Sequence, residues 1–153
     1  MNKFVGAFAL ICRDAADQSQ FLTCWNERTH QLEFVAAERL EGETYRDSLL
    51  RELGWTLRVD ANRQLVISHA PRIHLNCPVE ISCGTPPTFY VIEFYLGFPF
   101  GRSGADAIAA NPNVAWLSPE ELHSGQAADG RTFSPVQRLL VSQAGLIPSL
   151  ARG

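Results

Sequence analysis

Apolar residues fall into short blocks separated by polar turns over roughly the first forty positions, a spacing that predicts strands rather than helices. Blocks at 3–12, 20–25 and 32–36 read as three strands, joined by the turn-like stretches RDAADQS and NERTHQ, so an antiparallel meander is expected. The period then changes. Tyr45, Leu49 and Leu53 recur every fourth residue, the spacing of one helix face turned toward a sheet. Thr44, with Asp47 three residues on, forms an acidic variant of the capping box. Asp47 and Arg51 stand four apart in the acid-first order that supports a helix, and Gly54 is expected to end it.

Strand-like blocks resume at 55–59, 65–68, 79–82 and 88–96, the last of them the clearest in its aromatic and β-branched content. Segment 97–113 reads as a surface loop with a short helical piece near 105–110, followed by a short buried strand at 114–117. Ser118-Pro119-Glu120-Glu121 and Ser134-Pro135-Val136-Gln137 both place Ser at an N-cap, Pro in the first turn and an acid or amide as box partner. The second opens a terminal helix over 135–144. Strands, helix, strands, short helix and terminal helix make an α+β fold, a mixed sheet between helical layers, in a single domain over 1–153.

Composition narrows the classes. With 46% hydrophobic and 19% charged residues, 153 residues suffice for one packed core, and disorder is excluded. A net charge of −3 argues against nucleic acid or an anionic membrane held by bulk electrostatics. No apolar run approaches spanning length. Lys3 ahead of the apolar run 4–12 superficially resembles an export signal, but the charged segment is minimal and no small-x-small site follows, so a first core strand and a cytoplasmic protein are expected. Four cysteines make no disulfide framework.

The segment 37–55, AERLEGETYRDSLLRELGW, carries the chemistry. From Glu43, seven residues lead to Arg51-Glu52-Leu53, and Gly54-Trp55 closes the segment. This resembles the Nudix box: Gly, five residues, Glu, seven residues, Arg-Glu, an aliphatic, any residue, Glu-Glu, any residue, then Gly and an aliphatic or aromatic. Ala36-Ala37 stands where the family has a leading glycine pair. With Gly54-Trp55 set on the closing pair, four residues are missing after Leu53, and those four hold the Glu-Glu pair. Four residues are about one helical turn, so the fold survives such a loss while the metal face does not.

The resemblance implies a Nudix-type α/β/α sandwich and a phosphate-containing small-molecule ligand. It implies Glu52 and Arg51 as catalytic residues, with Mg²⁺ or Mn²⁺ held by Glu52 and, as substitutes for the lost pair, Glu38 and Glu41 from the loop before the helix. Glu93, a lone acid in TFYVIEFYL, is a further catalytic candidate, since relatives place an acid on a strand or loop facing the box helix. Ser48, Leu49, Trp55 and Thr56 lie one turn from Glu52 and none is a carboxylate. Two functions follow: a hydrolase of nucleoside diphosphate-linked or related pyrophosphate substrates with weak or altered metal dependence, or a catalytically inactive binding or regulatory module. The family also leaves a homodimer open.

Other signals carry less. His69, His74, Cys77 and Cys83 have spacings of no common structural zinc module and fall on strand candidates. GRSG at 101–104 lacks the strand and lysine of a P-loop, and Arg102 is the one substrate-binding candidate there.

Overall fold

The structure, a computed structural model, describes residues 2–15, 18–80 and 83–147. Strand β1 (Asn2–Ala15) runs through its middle. One edge of β1 pairs in parallel with β7 (Thr88–Pro99), from Asn2↔Thr88 to Ile11↔Gly97. The other edge pairs antiparallel with β4 (Ala36–Glu38) and, farther on, with β2 (Gln18–Asn26). β5 (Leu65–Ile67) and β6 (Ile73–Val79) share the far edge of β7, while β3 (Gln31–Glu33) and β8 (Val114–Leu117) flank β2. Gly6 permits the close approach of β1 to β4, because a Cβ there would run into the carbonyl of Ala37.

Alternation along β1 sorts the two cores. Ala7, Ala9 and Ile11 face one helical layer, α1 (Tyr45–Leu57) and α2 (Gly101–Ala109); Phe8 and Leu10 face the other, α3 (Pro119–Ser124) and α4 (Pro135–Ala144). A strand buried on both faces reads as a continuous apolar run, and 4–12 is such a run. The sandwich expected from the element order is the one observed. Among the described residues, no helix is long and apolar enough to cross a membrane.

Several boundaries differ from the sequence reading, each for a physical reason. Block 32–36 divides into β3 and β4. The break falls at Phe34, whose N–H donates to Gln137 Oε1 at 2.6 Å and whose carbonyl accepts from Gln137 Nε2 at 3.4 Å. Gln137 is therefore spent on Phe34, and the third capping box, at Ser134, is half a box: Ser134 Oγ accepts from the Gln137 N–H without a return bond. The first two boxes are complete, at Thr44–Asp47 and Ser118–Glu121. Asp47, committed to its box, is not the partner of Arg51. Segment 97–113 holds the end of β7 and the whole of α2. The strand placed at 79–82 instead ends at Val79; 81 and 82 lie outside the described residues.

The largest difference is at Gly54, which lies inside α1 rather than at its end, so 55–59 is not a strand. Leu49, Leu53 and Leu57 are all fully buried against β1 and β4, and Leu57 requires one more turn of helix. Burying a leucine is worth about 1.5–3 kcal/mol, whereas an interior glycine costs about 1 kcal/mol. The stripe wins, and α1 stops where Arg58 adopts the left-handed conformation, with φ 56°.

A non-glycine residue at that φ is strained. Arg58→Gly is expected to stabilise the fold by about 1 kcal/mol, read as a rise of a few degrees in Tm. An unchanged or lower Tm would contradict this account of the helix end.

Candidate functional site

The loop between β4 and α1 turns at Gly42, whose φ of 85° suits glycine, and this sets Glu43 just outside the helix N-cap. From there its carboxylate runs back along the helix. Glu43 Oε2 accepts from Arg51 Nε at 3.0 Å, and Oε1 accepts from Arg51 Nη2 at 3.2 Å and from Ser48 Oγ at 2.8 Å. The Arg51 guanidinium, followed by the Ser48 hydroxyl, holds the Glu43 carboxyl down at about 2, and Glu43 in turn raises Arg51. Arg51 also donates through Nη2 to the Glu38 carbonyl at 3.2 Å and through Nη1 to Glu52 Oε2 at 3.4 Å. One guanidinium thus ties the loop, β4 and the helix together, in the forked geometry that arginine supplies and lysine does not.

Glu52 is half-buried on the outer face of α1. Its second oxygen, Oε1, accepts from Thr56 Oγ1 at 3.2 Å, and the Thr56 carbonyl accepts from Asn111 Nδ2 at 3.2 Å. Glu52 borders three clefts. The largest two, each about 790 Å³, lie on either side of Thr56. One reaches Trp25, Phe34, Tyr90, Arg28 and Glu33; the other reaches Trp55, Asn111 and Asn113. Trp55 is 78% exposed.

The observed length of α1 corrects the expected deletion. With the helix running to Leu57, the Nudix pattern passes through without a gap: its Glu-Glu pair falls on Trp55 and Thr56, its closing glycine on Arg58 and its final aliphatic on Val59. The left-handed φ of Arg58 is the conformation a glycine would take there.

The other sequence candidates lie elsewhere. Glu93 sits on β7 in register with Ala7, its side chain 17% exposed, accepting from Tyr95 Oη at 2.9 Å and paired with His74 Nδ1 at 3.2 Å. Burial, then Glu93, pushes the Tyr95 hydroxyl well above its usual range. This cluster lies by the first turn of α1, where Tyr45 meets the His74 ring edge-on, and among the described residues no bond joins it to Arg51 or Glu52. The Glu38 and Glu41 side chains are exposed, and only the Glu38 carbonyl enters the Arg51 network. GRSG forms the first turn of α2 rather than a cradle, and Arg102 projects into solvent beside Asp106 at 3.8 Å. Asn111 and Thr56, which flank Glu52, are the residues the sequence reading missed; an ungapped alignment of the box would have flagged Thr56, and nothing local flags Asn111.

Mg²⁺ asks for several oxygens in octahedral array, usually from more than one carboxylate or from phosphates. Among the described residues, no three His, Cys, Asp or Glu side chains converge as a metal group. Both oxygens of Glu52 are engaged, and its neighbours are a hydroxyl, an amide and an indole. These residues do not fit the divalent metal that the box resemblance implies.

The Glu43 carboxyl has a folded-state value depressed from near 4.5 to about 2, so it contributes stability above the ordinary value that is lost as pH falls toward the folded one. Melting curves taken between pH 7 and pH 2 are expected to show this loss below about pH 4.5 in the wild type and its absence in Glu43→Gln. Parallel pH profiles for the two proteins would refute the pairing.

No family model and no curated protein matches this sequence. Solved structures do. The Ap4A hydrolase of C. elegans superimposes with a TM-score of 0.63 at 18% identity, over 97% of this chain and 100% of that one. The E. coli dihydroneopterin triphosphate pyrophosphohydrolase gives 0.58 at 13%, over 94% of both chains. Shewanella oneidensis NrtR, solved with DNA, gives 0.52 at 13%, and there the match covers 90% of this chain but 58% of that one. A Nudix hydrolase of M. smegmatis, RenU, gives 0.52 at 16% over 96% of this chain and 90% of that one. With these superpositions spanning nearly the whole chain, and Arg51-Glu52 on the helix where the box places them, the chain has the Nudix fold.

Proposed function

We propose that the chain is a Nudix-fold module that binds a phosphate-containing small molecule beside Glu52 without carrying out metal-dependent hydrolysis of it. The observation that carries this reading is the pair Trp55 and Thr56 at the positions where the box pattern has its two glutamates. Around Glu52 the charge that would gather a divalent cation is gone, while the open space for a ligand is retained. The cleft on the Trp25 side offers aromatic walls for a planar group, Arg28 for an anion, and Glu33 as an acceptor; Glu33 already takes hydrogen bonds from Asn26 and Thr29. Net negative charge and the match to only part of NrtR favour a small ligand over DNA.

A second reading keeps catalysis: a hydrolase of nucleoside diphosphate-linked substrates with weak or altered metal dependence. The intact Glu43–Arg51–Glu52 chain favours it, as do whole-chain matches to structures described as hydrolases. One experiment separates the two. A panel of nucleoside diphosphate derivatives is screened by thermal shift in EDTA and in Mn²⁺, with product analysis of every hit. Under the binding reading, a ligand at a hundredfold excess over its Kd stabilises by about 2.7 kcal/mol, several degrees in Tm, equally with and without metal, and no product forms. Metal-dependent turnover that disappears in Glu52→Gln would establish the hydrolase instead.

Restoring the acids gives a further check. Trp55→Glu combined with Thr56→Glu is expected to create a response to Mn²⁺, a Tm that rises with the cation, where the wild type shows none. Equal responses in the two proteins would mean that these positions do not govern metal binding.

A further inference from the structure

A further cleft, of about 670 Å³, lies away from the Glu52 carboxylate, at the end of the sheet beside α2. Its floor is apolar: Phe98, Ile108, Val114 and the small residues Ala105 and Ala109 on one side of α2. Phe98 remains half-exposed there, while Ile108 beneath it is fully buried. At the rim stands Arg13. Its guanidinium lies over the Trp116 ring at 4.4 Å, and its Nε donates to Gln20 Oε1 at 3.0 Å. Those two contacts fix the plane of the guanidinium and leave both Nη groups without a protein acceptor among the described residues, and no ion pair there neutralises it. Asp14 also lines the cleft; it is not paired with Arg13 and accepts from Ser19 Oγ at 3.1 Å.

An arginine held by stacking, without an ion pair among the described residues and set at the mouth of a largely apolar cavity, is a preorganised receptor for one anionic head. The cavity falls within the size range of small-molecule sites, and its floor suits a hydrocarbon or aryl group. We propose that this cleft binds an amphipathic carboxylate, a medium-chain acyl or aryl acid, with its head on Arg13 and its apolar part against Phe98, Ile108 and Val114. The site is independent of the ligand proposed for the Glu52 side, although Asn111 stands in the wall of both this cleft and the one beside Thr56.

Octanoate and its neutral isostere octanamide serve as probes, with titration calorimetry of the full chain and the Trp116 indole N–H followed by NMR. Saturable octanoate binding is expected, with octanamide at least about tenfold weaker, since a charge-assisted pair is worth about 1.5–3 kcal/mol. Arg13→Gln is expected to cost octanoate a similar factor while leaving octanamide unchanged, and Ala105→Trp, on an exposed helix position, to block both. Trp25→Ala, in the other cleft, leaves octanoate binding as it was. Absence of saturable octanoate binding, equal affinity for the amide, or loss of binding in Trp25→Ala rather than Arg13→Gln would overturn the proposal.

Discussion

Burial of the Leu49, Leu53 and Leu57 stripe against β1 and β4 fixes both the length and the rotation of α1, and the chemistry of the site follows from that placement. Because the three side chains recur every fourth residue, the opposite face of the helix is held at a constant angle to the solvent. Glu52 and Thr56 come to lie one above the other on that outer face, within hydrogen-bond reach. Had the helix ended at Gly54, Thr56 would have left it and Glu52 would have faced open water. Packing on the inside thus decides which groups meet on the outside.

The Arg51 network shows a polar cluster that is structural before it is anything else. Its guanidinium joins the turn at Glu43, the strand end at Glu38 and the helix at Glu52. In a metal site, such an arginine would orient acids that crowd one another. Here it has one acid fully in its grip, Glu43, and a looser contact with Glu52, whose other oxygen is closed off by a hydroxyl. Trp55 and Thr56 stand where the box pattern has its two carboxylates.

Open clefts lie in two parts of the molecule with different chemistry. The clefts at Glu52 mix acids, amides and aromatic walls, whereas the cleft at α2 sets the Arg13 guanidinium, without an ion pair among the described residues, beside apolar side chains. Asn111 touches both regions because the short connection from α2 to β8 must pass between them, its own backbone N–H accepted by the Ile108 carbonyl. A loop that closes a helix onto a strand in so few residues has little choice of position.

By itself the sequence determined the sandwich, the sites of all three Ser or Thr N-caps and the register of Arg51-Glu52 within the box. These depend on local periodicity and on side chains within one turn of each other, which spacing reports directly. It misplaced the end of α1 because Gly54 is a stop signal whose cost of about 1 kcal/mol is outweighed by burial of Leu57, a contact with strands far away in the chain. The division at Phe34 was equally invisible, since its cause, Gln137, lies over a hundred residues downstream. Glu93 was legible as an odd acid in an apolar strand, but only the pairing of β6 with β7 set it against His74, beside its own strand's Tyr95. Tertiary structure decided that α1 runs past Gly54, which favours the ungapped reading that sets Trp55 and Thr56 on the two glutamate positions of the box pattern, because burial of the leucine stripe sets the helix length.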